Sequence, residues 1–320
     1  MEIAVIGTGQ IGSRHLQSLA GISGQHTLHA VDPSPDSERI VRERLGNLAD
    51  RVVFHAAVGT LPRALEAVVI ATSATVRRQC MTDLLAHGQV RYAILEKILF
   101  PSVADCFWAE GRLAQHGVKA WVNFPRRMQA VYQKIQAAVA PGTVRDIRVT
   151  GSRWGLATSA VHFLDLILFL THARSLTIES LRARTFESPR HRNCIEADGL
   201  LAGSTDSGAT YAIACWDAGN APIQVTVETV GKRWSITEQD NEAIVHESEA
   251  TAGWQSAEWR SPLLNQSQLS GPIMEELFAT ADCRLTDYSG ALQSHLPLLR
   301  AWNRQLFPQS DPDLTSCPIT

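Results

Sequence analysis

The first residues with a recognisable chemical pattern are three glycines near the start of the sequence. They are spaced as Gly7-x-Gly9-x-x-Gly12, directly after an apolar segment from Glu2 to Ile6 and at the beginning of a helical pattern. Glycine permits a tight turn, a close approach of the backbone to a pyrophosphate and close packing of helix on strand, and the helix N-terminus attracts the anion. The pattern predicts a dinucleotide site formed by Gly7, Thr8, Gly9, Gln10, Ile11 and Gly12.

An acidic residue at the expected distance indicates which dinucleotide binds. Asp32 lies twenty residues beyond Gly12, at the end of the second predicted strand, Thr27 to Val31. Its carboxylate can accept hydrogen bonds from the adenosine ribose hydroxyls, and it would repel the 2′-phosphate of NADP. The following residues, Pro33 and Ser34, add no arginine that would neutralise this phosphate. We therefore expect NAD to be the cofactor.

Polar residues also follow three further predicted strands. Thr72 and Ser73 follow the fourth strand, Glu96 and Lys97 the fifth, and Asn123 the sixth. Ligands bind at the carboxyl ends of parallel strands, so we expect these side chains to contact cofactor or substrate. A lysine at a buried strand end is unfavourable unless it is paired or functional, and burial suits it to proton transfer. The alternative is a surface lysine whose stem covers the edge of the sheet.

The elements that must position these residues change character along the chain. Strand and helix alternate up to Val122, which predicts a Rossmann domain with a doubly wound parallel sheet over residues 1–122. Ser34, followed by Pro35, and Ser102 are predicted to cap two of its helices. Residues 123–320 predict an α+β domain for substrate binding and oligomerisation, with a largely antiparallel open sheet.

One run in this second domain bears on assembly. From Ile223 to Glu228 apolar and polar residues alternate, so one face of the sheet is covered and the other is free to pair with another subunit. We expect a homodimer or homotetramer. The tail after Phe307, rich in Pro, Ser and Asp, is expected to pack loosely.

The composition excludes several other classes of protein. A net charge of -3 provides no basic surface for nucleic acid. The longest apolar run, Val161 to Leu170, is too short to span a bilayer, and no signal peptide precedes the first strand. Six scattered cysteines without paired spacing indicate reduced thiols and no metal site. We expect a cytoplasmic protein.

The sequence resembles the Gfo/Idh/MocA oxidoreductases, a family named after glucose–fructose oxidoreductase and inositol dehydrogenase. The resemblance covers nearly the whole chain, and five segments carry it: Ala4 to Gly9, Ala71 to Ala74, Leu95 to Lys97, Asn123 to Arg127 and Val161 to Asp165. It implies an NAD(H)-dependent enzyme that moves a hydride to or from a carbinol or keto carbon of a sugar, sugar nucleotide or polyol. Two alternatives stay open: a redox-neutral enzyme that retains NAD, such as an epimerase or glycosidase, and a non-catalytic NAD-binding sensor or partner protein.

The resemblance also implies roles for particular residues. Lys97 corresponds to the family lysine placed between nicotinamide and substrate, and His162 to the histidine beside the carbon that exchanges hydride. The resemblance implies substrate contacts for Arg126, Arg127, Trp154, Thr158 and His162. A lone histidine on such an apolar helix is also compatible with a purely structural role.

Three positions depart from the family pattern. Ile98 replaces the proline that usually follows the lysine, and Arg77 stands where many members have a histidine. Thr158 occupies the place of an aspartate one helical turn before His162. A carboxylate there would raise the basicity of the histidine, whereas a threonine only hydrogen-bonds. We therefore rank Lys97 above His162 as the group that handles the proton.

Overall fold

The computed structural model of the protein describes residues 1–189 and 192–320. The chain forms two compact units, Met1–Pro125 with Leu264–Ser289 and Arg126–Leu263 with Gly290–Thr320. The first unit thus ends at Pro125 rather than at residue 122, and it includes a returning segment that the predicted division at 122/123 assigned to the second domain. Local patterns along the chain contain no signal for such a return.

The strands and helices are numbered in chain order. The strands are β1 (Glu2–Ile6), β2 (Thr27–Val31), β3 (Val52–His55), β4 (Ala64–Ile70), β5 (Gln89–Leu95), β6 (Lys119–Val122), β7 (Val144–Ser152), β8 (Leu176–Glu187), β9 (Ile195–Thr205), β10 (Thr210–Trp216), β11 (Ile223–Thr229), β12 (Lys232–Gln239), β13 (Glu242–Glu249), β14 (Gln255–Pro262) and β15 (Thr286–Asp287). The α-helices are α1 (Gly12–Leu19), α2 (Pro35–Leu45), α3 (Ala74–His87), α4 (Val103–Gln115), α5 (Ala130–Ala138), α6 (Leu156–Thr171), α7 (Gln266–Thr280) and α8 (Tyr288–Leu306). Among the described residues, no helix is long and apolar enough to cross a membrane.

The first unit is built on a seven-stranded sheet in the order β15-β6-β5-β4-β1-β2-β3. Strands β1 to β6 are parallel, and only the short β15 joins antiparallel to β6. The central strands are rich in Val, Ile and Ala and are almost entirely buried, because both faces of a parallel sheet are covered. The predicted Rossmann fold is confirmed.

The helix α7 returns from the far end of the sequence to pack on α1. The backbone N–H of Gly271 donates a 2.8 Å hydrogen bond to the Ser18 hydroxyl. A Cβ atom at Gly271 would lie 2.9 Å from the Ser18 carbonyl oxygen, so only glycine allows the two helices to come this close. This contact explains why the returning segment belongs to the first unit.

The second unit is built on an eight-stranded sheet in the order β14-β13-β12-β11-β7-β10-β9-β8. Every neighbouring pair is antiparallel except β7 and β10. Helix α6 packs on β7, β9 and β10. Along β11, Val225 and Val227 are fully buried whereas Gln224, Thr226 and Glu228 reach solvent. The predicted open antiparallel sheet is therefore confirmed.

The end of the C-terminal tail is packed, so the expectation of a loose tail is wrong for that part, whereas residues 307–311 are exposed. Cys317 and Ile319 are fully buried. The N–H of Ile195 donates to the carbonyl of Pro318 at 2.7 Å, and the Asn303 side chain donates to the carbonyl of Pro312 at 2.8 Å. Proline and serine indicated a loose tail, but the carbonyl groups of these prolines accept hydrogen bonds from the body of the unit.

The two predicted serine caps differ. The Ser102 hydroxyl accepts a 3.1 Å hydrogen bond from the N–H of Asp105 and caps α4 as predicted. The Ser34 hydroxyl makes no capping bond to α2, so that prediction is wrong. Its backbone N–H instead donates to the Asp32 carboxylate at 2.9 Å.

We predict that Ser102→Ala destabilises the first unit by about 1 kcal/mol, the usual effect of losing an N-cap. Ser34→Ala is the matched control, and we expect less than about 0.5 kcal/mol because its hydroxyl caps nothing. Urea denaturation followed by circular dichroism measures both shifts. Equal shifts for the two variants would contradict this assignment of the caps.

Candidate active site

A cavity of about 1090 Å³ opens at the carboxyl ends of β1, β2 and β4. Among the residues predicted for the cofactor, those in its lining are Gly7, Gly9, Asp32, Thr72 and Ser73. Loop residues 56–59 and helix α3 form further wall. The cavity lies wholly within the first unit, and its volume suits a ligand of drug size or larger.

The glycine loop leaves room only where a pyrophosphate would need it. Gly7 has a φ of 86°, and a Cβ there would lie 2.7 Å from the N atom of Thr72. A Cβ at Gly12 would overlap the carbonyl of Gly7, so the start of α1 packs directly on the turn. At Gly9 no atom lies within 4 Å of such a Cβ, which leaves the backbone open for a ligand. The loop therefore fits a dinucleotide.

Asp32 is fixed by two backbone groups. Its carboxylate accepts a 2.8 Å hydrogen bond from the N–H of Thr8 and a 2.9 Å bond from that of Ser34. Besides the main cavity it borders a smaller one of about 250 Å³, to which Glu38 and His55 also contribute. Burial and the neighbouring His29 lower the pKa of His55, so this ring is neutral at pH 7. Because Glu38 is paired with Arg42 at 2.8 Å, Asp32 supplies the unbalanced negative charge of the small cavity.

Arg42 and Arg44 of α2 are both paired with other groups of the protein. Arg42 pairs with Glu38 at 2.8 Å and stacks over the ring of Phe54. Arg44 donates to the carbonyl of Gln10 and to its side chain, which ties α2 to the glycine loop. Among the described residues that line the small cavity, no lysine or arginine is present. The surroundings of Asp32 thus favour a ribose hydroxyl over a phosphate.

Glu96 and Lys97 lie beyond the end of β5, outside the lining of the main cavity. Glu96 is buried, and its Oε1 lies 2.8 Å from Nε2 of His15 and 2.5 Å from Nδ2 of Asn123. Burial by itself raises the pKa of the Glu96 carboxyl, but His15, Asn123 and the nearby charge of Lys97 together hold it below its usual value. The carboxylate beside Lys97 is therefore ionised.

Helix α7 completes this network. The Ser270 hydroxyl lies 2.8 Å from Nδ1 of His15, and the Gln266 side chain accepts a 2.8 Å hydrogen bond from Asn123. The sequence identified Asn123 through its strand end, but it gave no sign of His15, which lies on α1. Nor did it indicate the two residues of α7, because their partners lie far away along the chain.

In the second unit, Arg126 and Arg127 are both paired with carboxylates. Arg126 forms an ion pair with Glu238, and its guanidinium stacks 4.1 Å from the centre of the Phe163 ring. Arg127 lies 3.3 Å from the carboxylate of Asp165. The positive charges of these two arginines, both predicted substrate contacts, are therefore balanced within the protein.

Trp154 packs against the helix that carries His162. Its ring meets that of Phe163 edge-on, with the ring centres 5.0 Å apart. His162 lies one turn beyond Thr158 on α6, and both side chains are half-buried. The structure thus gathers Trp154, Thr158, His162 and Arg126 around the first half of this helix.

A carboxylate that the sequence did not reveal lies beside Thr158. The Thr158 hydroxyl donates a 2.6 Å hydrogen bond to Glu196, which also accepts a 2.7 Å bond from the N–H of Ala157. A Cβ at Gly155 would overlap the Glu196 carboxylate, so the glycine makes room for it. Glu196 belongs to β9, 38 residues from Thr158, and no local motif connects the two.

Comparison with known protein families gives a match for the first unit. Residues 1–124 match the model of the Gfo/Idh/MocA group, described as an oxidoreductase family with an NAD-binding Rossmann fold. The match covers the N-terminal domain of this chain. The resemblance read from the sequence is confirmed, as is NAD as the cofactor of this domain.

Three known proteins show what this fold is used for elsewhere. Inositol 2-dehydrogenase 1 of Saccharopolyspora erythraea is 23% identical over 258 residues, which cover 74% of this chain and 73% of that protein. An oxidoreductase from Agrobacterium radiobacter, solved with NAD+, L-tartaric acid and magnesium, superposes with a TM-score of 0.73 at 15% identity, covering 98% of each chain. The super-repressor mutant of Gal80p from Saccharomyces cerevisiae superposes with a TM-score of 0.70 at 11% identity, covering 98% of this chain and all of that one. At these identities the two structures establish the fold alone.

We predict that the protein binds NAD at least about tenfold more tightly than NADP, because a 2′-phosphate would lie against the Asp32 carboxylate. Asp32→Ala removes one repelling charge and should narrow this preference. Calorimetric titration with both dinucleotides measures it.

Asp36→Ala is the matched control for net charge. Asp36 lies on α2, four residues beyond Asp32, but its side chain is 78% exposed and lines neither cavity. We expect its preference for NAD to equal that of the unaltered protein. NADP binding as tightly as NAD in the unaltered protein would contradict the assignment of Asp32.

Proposed function

We propose that the protein is an NAD(H)-dependent dehydrogenase or reductase acting on a carbinol or keto carbon of a sugar, sugar nucleotide or polyol. The observation that carries this proposal is the NAD-binding cavity with Lys97 two residues past the end of the adjacent strand β5. The likeness to an inositol 2-dehydrogenase over three quarters of the chain supports a hydroxylated substrate. The cysteines are all unpaired thiols, which suits the cytoplasm.

The nicotinamide supplies the hydride exchange when NAD is bound, and the residues of this chain bind, orient and manage the proton. Gly7, Gly9 and Asp32 hold the dinucleotide. The ammonium of Lys97 hydrogen-bonds the reacting oxygen, where it gives or receives the hydroxyl proton. Glu96 stays ionised beside it, and its negative charge attracts the ammonium.

We assign His162 as the second proton-transferring group, oriented by Thr158 and Glu196. The single hydroxyl proton of Thr158 is donated to Glu196, so its oxygen keeps lone pairs for an N–H of the histidine. A side chain four residues further along a helix leans back toward the N-terminus, which directs His162 toward Thr158. Glu196 would then do through a hydroxyl what an aspartate at position 158 would do directly.

The paired arginines favour a neutral substrate. Because Glu238 and Asp165 balance Arg126 and Arg127, neither guanidinium offers uncompensated charge to a carboxylate or phosphate on the reacting sugar. Together with Trp154 they suit the recognition of hydroxyl groups on a ring. We therefore favour a neutral polyol or sugar ring over a sugar acid.

A redox-neutral enzyme and a non-catalytic binder are the alternatives. The first predicts NAD that co-purifies and is not released as NADH during turnover. The second gains weight from the Gal80p likeness, because a repressor shares the fold. A panel of polyols, keto-sugars and sugar nucleotides, assayed at 340 nm in both directions, separates the three proposals.

We predict that Lys97→Met lowers turnover by about a hundredfold to ten-thousandfold, the usual contribution of a general acid or base. NAD affinity should change little, because Lys97 lies outside the lining of the cavity. Lys119→Met, at the opposite end of the adjacent strand β6, is the control and should leave turnover unchanged. Near-normal turnover of Lys97→Met would remove Lys97 from the mechanism.

A second prediction concerns Glu196. If it orients His162, Glu196→Gln and Thr158→Val each lower turnover by about tenfold or more, and the double variant is no worse than the more damaged single variant. His162→Ala should then cost about as much as Lys97→Met. Steady-state kinetics on purified variants with matched melting temperatures measures this. Additive effects of the two substitutions would show that they act independently.

The exposed face of the second sheet leads to a third prediction. Gln224, Thr226 and Glu228 reach solvent, and we propose that this face pairs with another copy of the chain. We expect light scattering to give the mass of a dimer or tetramer at micromolar concentration. A monomer would reject the proposal without affecting the chemistry.

A further inference from the structure

The guanidinium of Arg77, on α3, is buried inside the first unit with 1% of the residue exposed. It donates to the carbonyls of Glu96 at 2.6 Å and Leu99 at 2.8 Å, and also to those of Ile98 and Thr72. Burial lowers the pKa of Arg77 to about 10, so it stays protonated at pH 7. One side chain therefore pairs four backbone acceptors from two separate segments.

The four carbonyls belong to two parts of the candidate site, the wall of the NAD cavity and the segment around Lys97. Thr72 lines the NAD cavity, and Glu96 and Ile98 are the two neighbours of Lys97. The Ile98 side chain is fully buried, so this short segment is anchored by the guanidinium and by the core. Arg77 thus joins the wall of the cofactor cavity to the backbone that carries the lysine.

Filling of space alone does not explain why a charged guanidinium is buried at position 77. Burying a guanidinium is unfavourable unless its donors are satisfied, and an apolar side chain would fill the same space without that penalty. However, an apolar side chain would leave the four buried carbonyls without a hydrogen-bond donor. A planar fork with several donors suits this cluster better than any other side chain.

We propose that Arg77 is a positioning residue, which fixes the backbone on both sides of Lys97 and so sets where its ammonium stands relative to the cofactor cavity. It touches neither substrate nor cofactor and acts through Lys97. The proposal rests on the role of Lys97 in the proposed function. A displacement of about 1 Å in a catalytic group lowers rates by about a hundredfold.

The small number of lysines in the chain allows a direct test of the position of Lys97. Its four lysines are Lys97, Lys119, Lys134 and Lys232. Reductive methylation with 13C-formaldehyde therefore gives a simple NMR spectrum. Lys97→Met, made in the unaltered protein and in each variant, identifies the Lys97 signal, also in Arg77→Lys with its fifth lysine. The variants are Arg77→Met and Arg77→Lys, which keeps the charge but not the planar fork. Arg78→Met is the matched control, because Arg78 is the next residue, is 53% exposed and pairs with Asp105 at the surface.

We expect both Arg77 variants to shift the Lys97 signal toward those of the exposed lysines, and Arg78→Met to leave it in place. Turnover should fall about a hundredfold for Arg77→Met and about tenfold for Arg77→Lys, while the Michaelis constant for NAD changes less than threefold. A Lys97 signal that stays unchanged in a folded Arg77 variant would overturn the proposal. If Arg77→Met does not fold, Arg77→Lys decides by the same criterion.

This test is separate from that of the proposed function. The NMR signal reports the surroundings of Lys97 whether or not a substrate is known. Should Lys97→Met keep its turnover, the catalytic role of Lys97 fails, but a shifted signal would still show that Arg77 positions the lysine.

Discussion

The backbone ladder at the carboxyl edge of the parallel sheet is the constraint on which the first unit depends. The last carbonyl of each strand accepts a hydrogen bond from a residue just past its neighbour: Gly7 to Val31, Ala71 to Ile6, Glu96 to Ile70 and Asn123 to Leu95, at 2.8 to 3.0 Å. Pairing therefore continues past the strand ends and brings the glycine loop, the Thr72 turn, Lys97 and Asn123 to one edge. The sheet thus sets the approximate positions of these residues, and side-chain hydrogen bonds and ion pairs then orient them.

Two buried charged side chains, Glu96 and Arg77, orient the segment around Lys97. Glu96 is held ionised by His15 and Asn123, and Arg77 donates hydrogen bonds to four carbonyls. Hydrogen bonds offset the burial of both charges: Glu96 accepts from its partners, and both terminal nitrogens of Arg77 donate. Because Arg77 holds the carbonyls of Glu96 and Ile98, Lys97 is fixed through its two neighbours in the chain. In the second unit, Glu196 and Thr158 hold the start of α6 in the same manner.

The parts of the molecule that follow from local patterns were predicted from the sequence, and the parts that depend on distant contacts were not. The glycine loop, Asp32 and the strand ends could be identified because each has a signature within about twenty residues. The return of α7, the packed end of the tail and Glu196 depend on partners far along the chain. Arg77 was noticed only as a departure from a family pattern. Its carbonyl cluster becomes visible only when α3 and β5 lie side by side.

The most direct test of the central claim follows one hydride. Polyols and sugars deuterated at their carbinol carbons, myo-inositol among them, would be mixed with the protein and NAD, and the cofactor analysed by mass spectrometry. The account predicts that at least one substrate transfers a single deuterium to NAD, and that Lys97→Met slows this transfer while Lys119→Met does not. Tight NAD binding with no deuterium in the cofactor from any member of the panel would contradict the dehydrogenase and favour a binding protein.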